Sequence, residues 1–269
     1  MSGKTIKLSE RLSAIAKYIE KGASVADIGT DHGHLPVYLA QNSLARSIYA
    51  TDISAGSLKK ALDTAAIYGV ADKISFIVAP GLEGIYGAEA DTIVLSGLGG
   101  ETIAHILAAA PRLEYPYARF ILQPQTKMGE LCLWLRWNGF VIRDASLARD
   151  RGKFYIIILA MLRESAAIAA DAADVASHNG GACGDADGDV GGDIGFDYSA
   201  EACFDAEMGL LRILARKNDP HFFDYLNTLI TITRRAAEGI SRSGSAEGNG
   251  MAKRLEALTL TLTKDWSCS

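Results

Sequence analysis

The sequence predicts an α/β fold, a mostly parallel sheet of seven strands with helices on both faces, followed by a helical C-terminal domain. Three observations carry this. Short apolar runs alternate with helical spacing between residues 9 and 138, the signature of successive βαβ units. The last two strands are joined by too few residues for a right-handed helical crossover, so they form an antiparallel hairpin. After an acidic, glycine-rich stretch, apolar residues return at helical spacing from about Phe204.

Each element follows from its residues. Leu12, Ile15, Ala16 and Ile19 mark a first helix over Ser9–Ile19, with Ser9 as N-cap. Strands are expected at 24–29, 47–52, 74–79, 92–96, 119–123, 140–144 and 154–161. Helices are expected at 35–42, 54–67, 100–109 and 127–138. Ser146 to Lys153 is left as the connection of the hairpin. Leu210, Leu211, Ile213 and Leu214, then Phe222, Phe223, Leu226, Leu229 and Ile230, read as two amphipathic helices broken at Asp219-Pro220. A Gly/Ser-rich turn (Ser241 to Gly250) leads to a last helix with Leu255, Leu258 and Leu262, so residues 203–269 read as a helical hairpin.

The most informative stretch is Asp27-Ile28-Gly29-Thr30-Asp31-His32-Gly33-His34, followed by a second strand ending in Asp52. A strand, a glycine turn, a helix and an acid-tipped strand form a nucleotide-cofactor site. The glycine admits close backbone approach, and the acid accepts hydrogen bonds from ribose hydroxyls. The dinucleotide fingerprint needs three glycines to seat a pyrophosphate, whereas Asp31 stands here where the middle glycine would be. A carboxylate repels phosphate and attracts a cation, which favours the sulfonium of S-adenosyl-L-methionine over NAD. His34 reads as a partly buried polar residue.

Composition narrows the classes. With 49% apolar and 22% charged residues, the 269-residue chain is an ordinary soluble protein with material for a sizeable core. The N-terminus lacks the apolar run of a signal peptide, and the longest apolar run, Tyr155 to Leu162, is too short to span a bilayer. Cys132, Cys183, Cys203 and Cys268 lack C-x-x-C spacing and read as free thiols in a cytoplasmic protein. The net charge of −5 conceals an asymmetry. Glu164 to Glu207 holds eleven acidic residues and no Lys or Arg, which leaves 27 basic against 21 acidic residues elsewhere. The stretch 164–202 is therefore read as a flexible acidic insertion. Its Asp185, Asp187 and Asp189 suggest a calcium loop, but Val190 and Phe196 occupy the positions that need glycine and glutamate, so no metal site is expected. The basic remainder suits RNA, with Arg216, Lys217, Arg234 and Arg235 of the tail as candidate phosphate contacts. A monomer is the expected state.

Three more motifs extend the reading: Ser96-Gly97-Leu98-Gly99-Gly100 after a strand, Leu122-Gln123-Pro124-Gln125, and Asn138-Gly139-Phe140. With Asp-Ile-Gly-Thr-Asp-His-Gly-His-Leu-Pro, they resemble the bacterial tRNA (adenine(22)-N1)-methyltransferase family over roughly 8–163, and more loosely from 203 onward. That family carries D-I-G-S-D-H-A-Y-L-P, A-G-M-G-G and L-Q-P-N at matching places. The resemblance implies a Rossmann-like class I methyltransferase domain at 1–163, a coiled-coil-like tRNA-binding domain at 203–269, and S-adenosyl-L-methionine as cofactor. On the matched positions, the cofactor set is Asp27, Gly29, Asp31, His32, Gly33, Asp52, Ile53, Gly81, Leu82, Ser96 and Gly97. The family's G-D-G-L places an aspartate against the adenine of the cofactor, where this chain has Ala79-Pro80-Gly81-Leu82. Cys132 stands where an arginine is common, and Tyr155-Ile156-Ile157 lacks the glutamate of Y-E-I.

Adenine N1 has an in-plane lone pair and no proton at neutral pH, so attack on a methyl group requires no general base. The site must align N1, methyl and sulfur and favour positive charge developing on the ring. Asp31 is the candidate for that electrostatic support, and Gln123 and Gln125 are candidates for binding the adenine edge. Two alternatives share these motifs: a methyltransferase acting on another substrate, or an inactive RNA-binding relative.

Overall fold

The computed structural model describes residues 4–110, 118–163, 199–217 and 219–242. The acidic stretch through residue 198 and the expected last helix at Leu255, Leu258 and Leu262 lie outside the described residues. In chain order the elements are α1 (Glu10–Ala16), β1 (Ala23–Ile28), α2 (His34–Gln41), β2 (Ala45–Asp52), α3 (Ala55–Ile67), β3 (Ser75–Val78), β4 (Thr92–Leu98), α4 (Gly100–Ala109), β5 (Arg119–Pro124), α5 (Met128–Trp137), β6 (Phe140–Asp150), β7 (Lys153–Leu162), α6 (Ala200–Arg216) and α7 (Phe222–Arg242).

The seven strands form one sheet in the order β3-β2-β1-β4-β5-β7-β6. Strands β1 to β5 pair in parallel, and β7 runs antiparallel to both β5 and β6. This is the Rossmann-like methyltransferase arrangement expected from the sequence. Chain order reverses between β1 and β4, so a crevice opens at their carboxyl ends, where ligands of such sheets bind.

Each side of the sheet is covered by helices. Ile15, Val25, Leu35, Leu39, Ile48, Val94 and Ile121 join one core cluster beneath α1, α2 and α3. On alternate positions of the same strands, Ile93, Leu95, Phe120 and Leu122 are buried on the α4 and α5 side. There the Phe120 and Phe140 rings meet edge to face at 5.3 Å. Every residue of β1 is buried, which explains why it is apolar apart from Ser24 and Asp27.

The hairpin is longer than the sequence suggests. Pairing continues to Asp150↔Lys153, leaving Arg151 and Gly152 as a two-residue turn with φ of 49° and 80°. Two positive φ values match the right-handed twist of the flanking strands. Ser146 to Asp150 is strand because Leu147 and Ala148 pack inward, a pattern too short and polar to stand out in the sequence.

Residues 1–217 and 218–269 form two compact units. Helix α6 belongs to the first. Ser199 caps it by accepting the Ala202 N–H, Leu210, Leu211 and Leu214 are buried, and a Cβ on Gly129 of α5 would lie 2.9 Å from the Cys203 carbonyl oxygen. In the second unit α7 starts just after Asp219-Pro220, whose Asp219 side chain accepts the His221 N–H at 3.0 Å. No described helix is long and apolar enough to cross a membrane.

A Cβ on Gly100 would fall 2.3 Å from the Lys127 carbonyl oxygen, so backbone must move to admit it. Gly100→Ala is expected to destabilise by about 2–3 kcal/mol. Gly56→Ala, in α3 with its nearest neighbour at 3.5 Å, should instead stabilise by roughly 0.5 kcal/mol. Urea denaturation of both variants checks the contrast.

Candidate active site

The site assembles at the carboxyl ends of β1, β2, β4 and β5. The turn after β1 is fixed to β2 because the Thr51 carbonyl accepts the N–H of Gly29 at 2.8 Å and of Thr30 at 3.0 Å. Gly29 has φ of 75°, and only the Leu98 side chain, at 3.7 Å, borders the space where a Cβ would sit. Gly33, at φ of 68°, has a different task. A Cβ there would lie 2.9 Å from that of Ala61, so this glycine lets α2 and α3 meet.

Asp27 is buried and accepts the Thr30 hydroxyl at 2.6 Å. Burial pushes its carboxyl up to about 6, Asp52 adds to the rise, and the Thr30 hydrogen bond and the Arg11 charge oppose it. Asp31 is a non-glycine residue at φ of 39°, and its half-exposed carboxylate lies 3.3 Å from His32 Nε2 and 3.8 Å from Lys60 Nζ. The His32 and His34 rings stack 5.8 Å apart. His34 opens α2 with much of its surface exposed, yet partial burial and the neighbouring His32 hold its pKa below the ordinary histidine value.

At the end of β2 the Asp52 Oδ1 accepts the Ser54 N–H at 2.8 Å, which orients the carboxylate. Ile53 beside it is 74% exposed, an apolar residue left open at the crevice. After β3, Gly81 has φ of 50° and approaches Ile106, and Leu82 beside it is buried. Ser96 is half-buried and Gly97 is exposed at φ of 79°.

Gln123 is fully buried. Its Oε1 accepts from Arg11 Nη1 at 2.8 Å, the Gly97 N–H at 3.2 Å and Gln125 Nε2 at 3.3 Å, and its Nε2 donates to the Pro124 carbonyl at 2.9 Å. The amide is thus occupied by partners within the protein. Gln125 is exposed, with its own N–H held by the Leu98 carbonyl at 2.7 Å. Arg11, which the sequence reading passed over, reaches the site from α1. Only its apolar neighbours give α1 a pattern, so nothing in the spacing marks the guanidinium.

Of the candidate phosphate contacts, Lys217 is engaged in the first unit: its Nζ pairs with Asp144 at 2.6 Å and lies 5.7 Å from the Tyr18 ring centroid. Arg216 is exposed in the same unit, and Arg235 is exposed on α7. The Arg234 side chain lies outside the described residues.

A family model described as a methyltransferase domain matches residues 8–158. The chain belongs to the methyltransferase-domain family. Within this family it is 37% identical over 155 residues to the tRNA (adenine(22)-N(1))-methyltransferase of Bacillus subtilis, a match covering 58% of this chain and 65% of that relative. The match therefore spans just under two thirds of the relative's length. The solved structure of the B. subtilis m1A22 tRNA methyltransferase TrmK is similar throughout, with a TM-score of 0.68 and 27% identity over 96% of this chain and 98% of that one. TrmK of M. capricolum, solved with S-adenosyl-homocysteine, shares the fold at a TM-score of 0.69 and 24% identity, over 95% of this chain and 98% of that one. These matches agree with the motif resemblance in the methyltransferase sequence.

The Asp27 carboxyl supplies a pH test. Its folded-state value lies above the ordinary aspartate value near ~3.9, so it favours the fold at low pH and that contribution is lost as pH rises through about 6. Asp27→Asn is expected to gain on the wild type by on the order of 2–3 kcal/mol between about pH 4 and pH 7. Denaturation at both pH values measures this, and a pH-independent difference would acquit the carboxyl.

Proposed function

We propose that this protein transfers the methyl group of S-adenosyl-L-methionine to N1 of an adenine in tRNA, the adenine at position 22. The observation that carries the reading is the 37% identity over 155 residues to the B. subtilis tRNA (adenine(22)-N(1))-methyltransferase. The residues present fit the cofactor. Asp52 is oriented to receive ribose hydroxyls, Ile53 offers an apolar face to the base, and Gly29 leaves room against Leu98. The bound cofactor supplies an electrophilic methyl group on a cationic sulfur.

The protein's own residues do the rest. N1 attacks without deprotonation, so no group here serves as general base. Asp31 holds negative charge near the sulfonium and the ring as the latter becomes cationic. Keeping Asp27 buried as a carboxyl raises the energy of the fold at neutral pH, an expense consistent with a binding role for that group. The target base must leave its stack to reach the crevice. Arg216, Arg234 and Arg235 are the residues we assign to the RNA backbone, and the cytoplasm is where tRNA would be met. We assign residues 1–163 to catalysis, 164–202 to an acidic connection and 203–269 to tRNA.

The test is incubation with bulk bacterial tRNA and labelled S-adenosyl-L-methionine, followed by mapping of the modified nucleoside. Label in 1-methyladenosine at position 22 is expected. Label on another nucleoside, or tight tRNA binding without transfer, would replace the proposal with one of its rivals. Asp52→Ala is expected to weaken cofactor binding on the order of 100-fold by calorimetry, because two charge-assisted hydrogen bonds disappear. Unchanged affinity in a folded variant would remove Asp52 from the site. Arg234→Ala with Arg235→Ala should leave cofactor affinity alone and flatten the salt dependence of tRNA binding. The slope of log affinity against log salt should fall by about 1 for each phosphate that the variant no longer neutralises.

A further inference from the structure

Arg11 belongs to none of the motifs, yet it meets the strand ends where those motifs converge. Its Nη1 donates to the buried Gln123 Oε1 at 2.8 Å, and its guanidinium lies 5.8 Å from the Tyr155 ring centroid. Arg11 and the Gly97 N–H can only donate, so the Gln123 atom facing them must be oxygen, and its amide nitrogen points to the Pro124 carbonyl at 2.9 Å. That oxygen has two lone pairs but three donors. Arg11 is the closest and carries charge, and Gln125 Nε2, at 3.3 Å, is the farthest. Of the three donors, Gln125 is the one that gives up least on leaving. Its side chain is exposed, and its main chain is held by Leu98.

We propose that Arg11 is a positioning residue of the methyl-transfer site, saturating Gln123 so that the Gln125 amide is free to pair with the N6/N7 edge of the target adenine. An amide side chain matches that edge in bidentate fashion. The pairing leaves N1, on the far side of N6, open to the methyl group. Arg11 therefore acts on the base through two glutamines and on the bulged end of β4 through Gly97, whose φ of 79° is strained for any residue but glycine. The inference rests on the reading of the protein as an adenine-N1 methyltransferase.

The experiment uses the full chain and compares wild type, Arg11→Ala, Arg11→Lys, Gln123→Ala and the Arg11→Ala/Gln123→Ala double variant. Methylation of tRNA, cofactor affinity by calorimetry and amide exchange at Gly97 are measured on each. Arg11→Ala is expected to lower kcat on the order of 100-fold with cofactor Kd unchanged, since misplacing a reacting group by about 1 Å costs that much. Arg11→Lys keeps the stem and the charge but lacks the planar fork, and should show the same loss at the wild-type melting temperature. The double variant should fall no further than Gln123→Ala alone, and Gly97 exchange should quicken whenever Arg11 is changed. On tRNA carrying 7-deazaadenine at the target, wild type should lose rate while Gln125→Ala loses none beyond its own deficit. Wild-type kcat in Arg11→Ala, multiplying losses in the double variant, or cofactor affinity falling in step with kcat would overturn the proposal. A wild type that methylates no tRNA overturns the functional reading and Gln125's role with it. The Arg11–Gln123 contact then stands or falls on the Gly97 exchange rate alone.

Discussion

The Thr51 carbonyl oxygen accepts the backbone N–H of both Gly29 and Thr30, and the layout of the crevice follows from that junction. It binds the turn after β1 to the last turn of the β2 ladder, so Asp52 and the Asp27–Gly33 loop must lie side by side. The φ of 75° at Gly29 makes the junction possible. With the loop held there, α2 begins at once, and Gly33 lets it pack against α3 at the contact with Ala61. Loop geometry, helix packing and the position of the acid are thus one constraint met in three places.

A second tie, at Gln123, does for β4 and β5 what Thr51 does for β1 and β2. One buried amide joins α1, the end of β4 and the end of β5. A buried side-chain amide without partners would be costly, and here each of its polar atoms is satisfied. Gln123 therefore holds the scaffold, whereas Gln125 two residues on is exposed. Asp27 shows the opposite economy. Its carboxyl is pushed up to about 6 by burial even with the Thr30 and Arg11 contacts, which is a penalty that a purely structural asparagine would avoid. Asp31 and Lys127, in the turns after β1 and β5, adopt positive φ without being glycine, as Ser43 and Arg151 do elsewhere.

The sheet was legible in the chain because its central parallel strands, β1, β4 and β5, are buried along most of their length, while β2 and β3 toward the edge are only partly covered. Such central strands appear as mostly apolar runs, as in Ala23–Ile28, interrupted only by Ser24 and Asp27, and residues 93–95. The hairpin was less so, since Ser146 to Asp150 mixes polar and small residues whose strand character comes from pairing with Lys153 to Ile157. Helix α6 has the amphipathic pattern expected of it, but periodicity does not say what its apolar face covers. That face is buried in the 1–217 unit, where Gly129 admits Cys203.

What the sequence determined by itself was local: the order of strands and helices, the glycines that must take positive φ, the acid at the end of β2, and a motif set sufficient to indicate a methyltransferase domain. What only the tertiary structure decided was the occupation of each polar group. Gln123 and Gln125 look equivalent in Gln-Pro-Gln, yet one is buried with every polar atom used and the other is exposed. Arg11 carries no signal in the chain, and its importance comes from an oxygen 112 positions away. Hydrogen-bond partners are chosen by proximity in space, and a linear pattern records only which face a residue takes, not what waits there.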